Sequence, residues 1–206
     1  ERGSISGRTV RVADKGLNCA ANIAEAVLAG DGYIFSKSVK ALPAKERTWA
    51  LSGDGWTDVA DGRGETSFRY KVADGDFEYT VEGEDGRKRK VELLERRVVT
   101  YSPSLARKQK YEIDRQVEKA RALKAEAAKR SEYGDSAKYV TFSPVDGEGE
   151  VREDMKVAAM LNHEAIRKAR ALAGYNMIVT SETAMGPLAI YSTYHRLWRI
   201  EESFRV

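Results

Sequence analysis

The sequence predicts an α/β fold, and three stretches of the chain carry this prediction. Near the start, β-branched residues over 9–13 precede a helical pattern over 19–29 and a second strand pattern over 33–35. Between residues 65 and 101, apolar and polar side chains alternate as in antiparallel strands. A further strand pattern over 176–181 leads into a helical pattern from residue 187. Alternating strands and helices indicate a sheet covered by helices.

The opening strand–helix–strand unit places an acidic residue at the end of its first strand. Asp14 directly follows the strand Thr9–Ala13, and Gly30 is suited to end the helix that comes next. Ligands of open α/β sheets bind at the carboxyl ends of the strands, so Asp14 is a candidate ligand-binding residue. Its context, Asp-Lys-Gly, is also that of an ordinary turn, and the position alone leaves both interpretations open.

The stretch 65–101 predicts an antiparallel meander. Apolar residues alternate over 68–72 and over 77–81, with turns predicted at 73–76 and 84–86. Two further strands are expected at 90–94 and 97–101. Trp49 and Trp56, in the polar connection before this meander, are expected either to pack within the protein or to stack on nucleic-acid bases.

A basic helix is predicted over 105–130, with Ser104 as its candidate N-cap. Its narrow apolar stripe consists of Ile113, Val117 and Ala120, and Lys or Arg occupies much of the remaining surface. Residues 87–130 have a net charge of +9, whereas residues 1–86 and 131–206 have −4 and −2. This block indicates a polyanion as partner, although a solvated surface helix would have the same composition. A short strand over 139–142 and a helix over 153–171 are expected to follow.

The last helix places one carboxylate on its packing face. Apolar or aromatic side chains recur there at steps of four and three residues, and the face carries Ile190, Tyr194, Leu197, Glu201 and Phe204. A buried carboxylate is costly unless something compensates its charge. Glu201 is therefore either a partly exposed residue at the edge of this face, or a metal ligand or general base. Its neighbour Glu202 points about 100° away.

This helix resembles the signature helix of the DDE-type transposases of bacterial insertion sequences. The motif of that family is Tyr-x2-Arg-x3-Glu-x6-Lys, and Tyr194 and Glu201 occupy its Tyr and Glu positions. Leu197 replaces the Arg, and the Lys position lies two residues beyond Val206. The segment Val-Ala-Asp-Lys-Gly-Leu-Asn around Asp14 is similar to the family segment that carries the second catalytic Asp.

The resemblance implies a ribonuclease-H-like core interrupted by an inserted lobe. Residues 1–37 and 172–206 would form the core, and residues 38–171 would form the insertion, made of the meander and the basic helix. The implied function is that of a DNA transposase fragment, catalysing metal-dependent strand cleavage and strand transfer in DNA transposition. Two Mg²⁺ ions would be held by Asp14, Glu201 and an Asp that precedes this fragment, which alone would then be inactive.

The implied partners are transposon-end and target DNA and, in the active enzyme, further copies of the protein. The candidate DNA-binding residues are basic or aromatic side chains of two helices: Arg107, Lys108, Arg115, Lys119, Arg121, Tyr194 and Arg205. The alternative is a non-catalytic nucleic-acid-binding module or a remnant of a transposase. A hydrolytic nuclease with the same core would share the metal site.

The resemblance implies a protein of the bacterial cytoplasm, associated with the nucleoid when bound to DNA. Cys19 is the only cysteine, which excludes an intrachain disulfide and is typical of a reducing compartment. No apolar run approaches the ~18 residues that a membrane span needs. We therefore expect no membrane partner.

Overall fold

The computed structural model describes residues 9–14, 20–82, 86–125, 128–143 and 158–203. The chain forms two compact units, one made of Glu1–Tyr101 and Tyr175–Val206, the other of Ser102–Gly174. The predicted insertion, residues 38–171, is distributed over both units, because its antiparallel strands belong to the sheet of the first unit. None of the helices described is long and apolar enough to cross a membrane.

The described residues form eight strands and five α-helices. The strands are β1 (Val10–Ala13), β2 (Gly32–Lys37), β3 (Thr57–Ala60), β4 (Thr66–Glu82), β5 (Lys88–Tyr101), β6 (Val140–Ser143), β7 (Ala158–Leu161) and β8 (Tyr175–Thr180). The α-helices are α1 (Ala20–Leu28), α2 (Ala44–Leu51), α3 (Pro103–Ala125), α4 (His163–Leu172) and α5 (Pro187–Ser203). Two 3₁₀ helices span Val39–Ala41 and Arg130–Tyr139.

The first unit is built on a six-stranded sheet with the order β1-β2-β8-β5-β4-β3. The strands β1 and β2 are parallel, with Ala13 opposite Phe35, and all the other neighbours in this sheet are antiparallel. Because β8 lies between β2 and β5, a strand from late in the chain fills the middle of the sheet. Strands and helices thus alternate around one mixed sheet, which confirms the α/β class that the sequence predicts.

The helix α5 covers one face of this sheet. Ile34, Val98 and Ile178, from three adjacent strands, form a buried cluster with Ile190 and Tyr194 of α5. The four-residue spacing of the two helical residues places them on one side of the helix. The prediction that this side packs inward is therefore confirmed for both of them. The side chains of residues 197–203 lie outside the described part of the structure.

The helices α1 and α2 lie on the other face. Side chains alternate along a strand, so Tyr33 and Phe35 point away from α5, and both are buried. Ile23 and Ala26 are the buried residues of α1, which contacts β2 and β4. The helix α2 lies within the stretch 37–56, and the edge strand β3 directly follows this stretch. Neither element was predicted from the sequence.

The long hairpin of β4 and β5 differs from the predicted meander. The turn predicted at 73–76 is wrong, because β4 runs through it and pairs residue by residue with β5 from Arg69–Tyr101 to Glu82–Lys88. The strands predicted at 90–94 and 97–101 are one strand. A continuous ladder of backbone hydrogen bonds has overridden the local turn preference of Asp74-Gly75. The second predicted turn, at 84–86, falls largely outside the described residues.

Two predicted helices have different boundaries. The basic helix begins at Pro103, and Ser102 rather than Ser104 caps it, since the Ser102 hydroxyl accepts a hydrogen bond from the Leu105 amide at 3.4 Å. The helix predicted over 153–171 is wrong for residues 158–161, which form β7, and residues 153–157 lie outside the described part of the structure. Asn162 caps the remainder by accepting a hydrogen bond from the Ala165 amide at 2.9 Å.

The second unit contains α3, the longer 3₁₀ helix, the hairpin of β6 and β7, and α4. The predicted apolar stripe of α3 faces its interior. Ile113 and Val117 pack with Tyr139, and Ala120 packs with Tyr133. Away from this stripe, six of the seven basic side chains of α3 are exposed, and Lys110 is half-buried.

Candidate functional site

The structure brings two of the predicted site residues together. Asp14 directly follows β1 and is exposed, whereas Tyr194 on α5 is only 3% exposed. The Tyr194 hydroxyl donates a hydrogen bond to Oδ1 of Asp14 at 2.9 Å. The end of the first strand and the packing face of α5 therefore meet.

Alternation along β1 explains why Asp14 reaches α5. Val12 packs against the α5-covered cluster, and Asp14, two residues later, points to the same face. Arg11 points to the opposite face, where its guanidinium donates hydrogen bonds to Asp31 and to Glu25 of α1, each at 2.8 Å. Arg11 is therefore separated from Asp14 by the sheet and is not part of the site.

Glu201 belongs to α5, but its side chain lies outside the described part of the structure. Seven residues separate it from Tyr194, so an α-helix places Glu201 within about 20° of the same face and about 10.5 Å further along the axis. The meeting of Asp14 and Glu201 stays a prediction. Arg205, the other candidate at this end, lies beyond the described residues.

The carboxylate of Asp14 is chemically suited to a hard cation. An ionised carboxylate has about four acceptor positions, so it can accept hydrogen bonds and bind a metal at the same time. Mg²⁺ takes oxygen ligands of this kind. Among the residues that the structure describes, no group of three or more His, Cys, Asp or Glu side chains is gathered as for a metal ion. A metal at this position would need Glu201 and a further acidic residue.

An aromatic cluster holds α5 next to Asp14. The Tyr191 ring stacks on Phe68 of β4, with centroids 4.2 Å apart and planes at 15°. The His195 ring lies 4.1 Å from the Tyr191 ring and 5.3 Å from the Tyr194 ring. Burial in this cluster lowers the pKa of His195. His195 was not among the residues predicted from the sequence, although its spacing from Tyr191 places both on one helix face.

A buried ionic network lies on the other face of the sheet, and it too was not predicted from the sequence. Glu95 is fully buried and accepts hydrogen bonds from the Tyr33 and Tyr79 hydroxyls at 2.6 and 2.7 Å. Its second oxygen accepts hydrogen bonds from Arg97 at 3.0 and 3.1 Å, and Arg97 also pairs with Glu46 of α2.

The groups of this network satisfy one another. Burial raises the pKa values of Tyr33 and Tyr79, and the negative charge of Glu95 is the second cause of this rise. Burial, and then the charge of Arg97, lower the pKa of Lys37 beside them. Such shifts are typical of functional sites, but the Glu95 carboxylate already has four donors around it. We therefore assign the network to the stability of the sheet.

Trp49 and Trp56, in the first unit, frame cationic side chains. Trp56 lies 4.6 Å from the Arg69 guanidinium and 4.7 Å from the Lys71 ammonium, and Trp49 lies 5.3 Å from the latter. Lys71 is buried and donates hydrogen bonds to the Trp49 and Ser52 carbonyls. Of the two predicted roles for the tryptophans, this arrangement supports packing within the protein.

The five basic candidates of α3 are all exposed, which leaves them accessible to a partner: Arg107, Lys108, Arg115, Lys119 and Arg121. Two of them pair with acidic residues three positions earlier on the helix. Arg115 lies 3.5 Å from Glu112, and Arg121 lies 2.6 Å from Glu118. With seven basic and three acidic residues, α3 has a net charge of +4.

Comparison with known proteins identified no relative of this chain. The chain matches no protein-family model, and the searches of characterised proteins and of solved structures found no match. The resemblance of the segments around Asp14 and Glu201 to DDE transposases stays a prediction from the sequence.

Proposed function

We propose that this chain is part of a DNA transposase of the DDE type, which cleaves and joins DNA strands with divalent metal ions. The observation that carries the proposal is the hydrogen bond between Tyr194 and Asp14. It supports the proposal because the two residues come from the two motifs of the resemblance, which lie 180 residues apart in the chain.

In this proposal, Asp14 and Glu201 are metal ligands, completed by an Asp from a segment preceding Glu1. Bound Mg²⁺ ions would activate the attacking water or 3′-hydroxyl and stabilise the leaving oxygen. Asp14 offers its carboxylate at a strand end, and Tyr194 orients that carboxylate through its hydroxyl. The basic surface of α3 would bind DNA phosphates, with transposon ends and target DNA as partners and a homo-oligomer as the active form. The compartment would be the cytoplasm.

The decisive experiment compares Glu201→Gln with Glu202→Gln in the complete protein that contains this chain. The measurement is Mg²⁺-dependent cleavage of DNA that carries the ends of the corresponding insertion sequence. Glu201→Gln should abolish cleavage because it removes a metal ligand, and chelation of Mg²⁺ should do the same. Glu202→Gln, the matched control, should keep most of the activity, because helix geometry turns this side chain about 100° away from that of Glu201. An inactive Glu202→Gln protein beside an active Glu201→Gln protein would overturn the assignment.

A second candidate function is a nucleic-acid-binding module without catalysis. The observation that favours it is the exposed basic surface of α3, which binds phosphates whether or not a metal site exists. The same experiment separates the two functions, since a pure binding module would bind the DNA in every variant and cleave it in none.

A further inference from the structure

One aromatic side chain of the second unit points into solvent. Tyr111, on α3, is 63% exposed. The other three aromatic residues of Ser102–Gly174 pack inside the unit: Tyr133 and Tyr139 are buried, and Phe142 packs edge-on against Tyr133 at 5.0 Å. In the described structure, the Tyr111 ring has no stacking, cation–π or hydrogen-bond partner. Its exposure therefore contributes nothing to the packing of the unit.

Basic side chains surround this ring. Arg107 and Lys108 lie four and three residues before Tyr111, and Arg115 lies four residues after it, so helix geometry makes all three its surface neighbours. The structure describes no acidic partner for Arg107 or Lys108, and Arg115 faces Glu112 at the long distance of 3.5 Å. The nearby acids Asp114 and Glu118 are paired with other arginines, Arg170 and Arg121.

We propose that Tyr111 and these basic neighbours bind an unpaired stretch of DNA, with the ring stacked on a base and the cations on the flanking phosphates. An aromatic face beside a positively charged track is the combination that single-strand-binding proteins use. A base in a duplex has both faces covered by its neighbours, so an exposed ring on a helix can stack only where the strand is open. This inference rests on the proposed DNA partner, but not on the metal site.

The test uses the whole 206-residue chain. Its affinity is measured for a fluorescent oligothymidine of about 15 nucleotides, a length within the range of one single-strand site, and for the same strand annealed to its complement. Tyr111→Ala should weaken single-strand binding by about five- to 140-fold, the loss typical of one stacked base. Duplex binding should change by less than about twofold, because it uses the phosphates. Tyr111→Phe keeps the ring and should bind both DNAs as the unchanged chain does.

Met160→Ala is the matched control, because Met160 is 68% exposed in the same unit and lies on β7 rather than on α3. It should affect neither affinity. Equal affinities for Tyr111→Ala and the unchanged chain, or equal losses for single strand and duplex, would overturn the inference. A failure of DNA cleavage in the complete protein would overturn the proposed function and leave this result standing. The circular dichroism spectrum of Tyr111→Ala should equal that of the unchanged chain, because the side chain is 63% exposed, so a loss of binding reports the missing ring.

Discussion

Tyr194 donates a hydrogen bond to Asp14 across 180 positions of the chain, from the middle of α5 to the end of β1. Tyr194 is buried and Asp14 is exposed, so the bond lies at the boundary between the core and the surface. It ties the residue that would bind metal to the helix that would supply the second ligand. The chemistry proposed here depends on that connection.

Removing the hydroxyl of Tyr194 should weaken the fold slightly. Tyr194→Phe keeps the packed ring and deletes the donor, so we expect a loss of about 1 kcal/mol in the free energy of unfolding, measured with urea at neutral pH. In a double-mutant cycle with Asp14→Ala, the coupling should be about 0.5–1.5 kcal/mol. A coupling of zero would mean that the hydrogen bond contributes nothing in solution.

The buried network should respond strongly to loss of one charge. Arg97→Met removes the cation beside fully buried Glu95, and leaving a buried charge without its partner costs about 3–5 kcal/mol. Lys90→Ala is the control from the same strand, because Lys90 and Glu78 form an exposed pair at 3.0 Å that should be worth about 0–1 kcal/mol. Urea unfolding of both variants measures the difference, and similar losses would show that the network is not buried as described.

Acidification should destabilise the chain through His195. Burial against Tyr191 and Tyr194 lowers the pKa of this imidazole. The unfolded chain takes up the proton near pH 6.5, so below that pH the unfolded state binds more protons than the folded state and is favoured. Above about pH 7, His195 causes no loss of stability. The free energy of unfolding then falls as the pH drops from about 6.5 towards the lower pKa of the folded state.

The corresponding measurement compares urea unfolding at about pH 7.5 and about pH 5. His195→Gln should reduce the difference between the two conditions. His163→Gln, which changes an exposed histidine at the start of α4, should leave the difference as it is. An unchanged difference in His195→Gln would assign the acid sensitivity to other groups.

The salt dependence of DNA binding should reveal which cations of α3 touch phosphates. Arg107, Lys108 and Lys119 have no ion pair among the residues described, whereas Arg115 and Arg121 already pair along the helix. Changing the first three to Gln should reduce the slope of log affinity against log salt by up to about 2.7, at ~0.9 for each phosphate that no longer meets a cation. Changing Arg115, Lys119 and Arg121 together should also flatten the slope and weaken all sequences alike. An unchanged slope in both triple variants would mean that α3 is only a solvated surface helix.

The continuous strand β4 gives a direct test of the fold. Gly75 lies inside β4 without a positive φ, and an added Cβ would meet only Phe77 at an ordinary 3.9 Å. Gly75→Ala should therefore be neutral or stabilise the chain by up to about 1 kcal/mol, by restricting the unfolded state. Gly134→Ala is the contrast, since the φ of +48° at Gly134 disfavours any side chain. A clear destabilisation by Gly75→Ala would instead support the turn at 73–76 that the sequence predicts.

The sequence predicted those features that depend on one element at a time. The four-residue step from Ile190 to Tyr194 was enough to identify the buried face of α5. The strand pattern before Asp14 was enough to place this residue at the carboxyl end of a strand. The turn at Asp74-Gly75 failed, because pairing with β5 outweighs the local preference of two residues.

Glu95 was missed for a related reason. It shares a strand face with Arg97 and Val99 by simple alternation. This alternation was not seen in the sequence, because β5 was predicted as two short strands with Glu95 between them. The four donors around it come from β2, β4 and β5, and no pattern within one strand records them. The side chain of Glu201 poses the same problem, since its partners would come from other parts of the chain.

The position of β8 has a consequence for how the chain folds during synthesis. The two edges that β8 joins, on β2 and β5, have left the ribosome long before it, and all of Ser102–Gly174 is made in between. We expect the continuous second unit to fold first. Until β8 is made, the strands β2 and β5 each have an unpaired edge, and such a state is prone to aggregation. Pulse-labelled hydrogen exchange during refolding should show amides of α3 protected before those of β8, and the reverse order would refute this sequence of events.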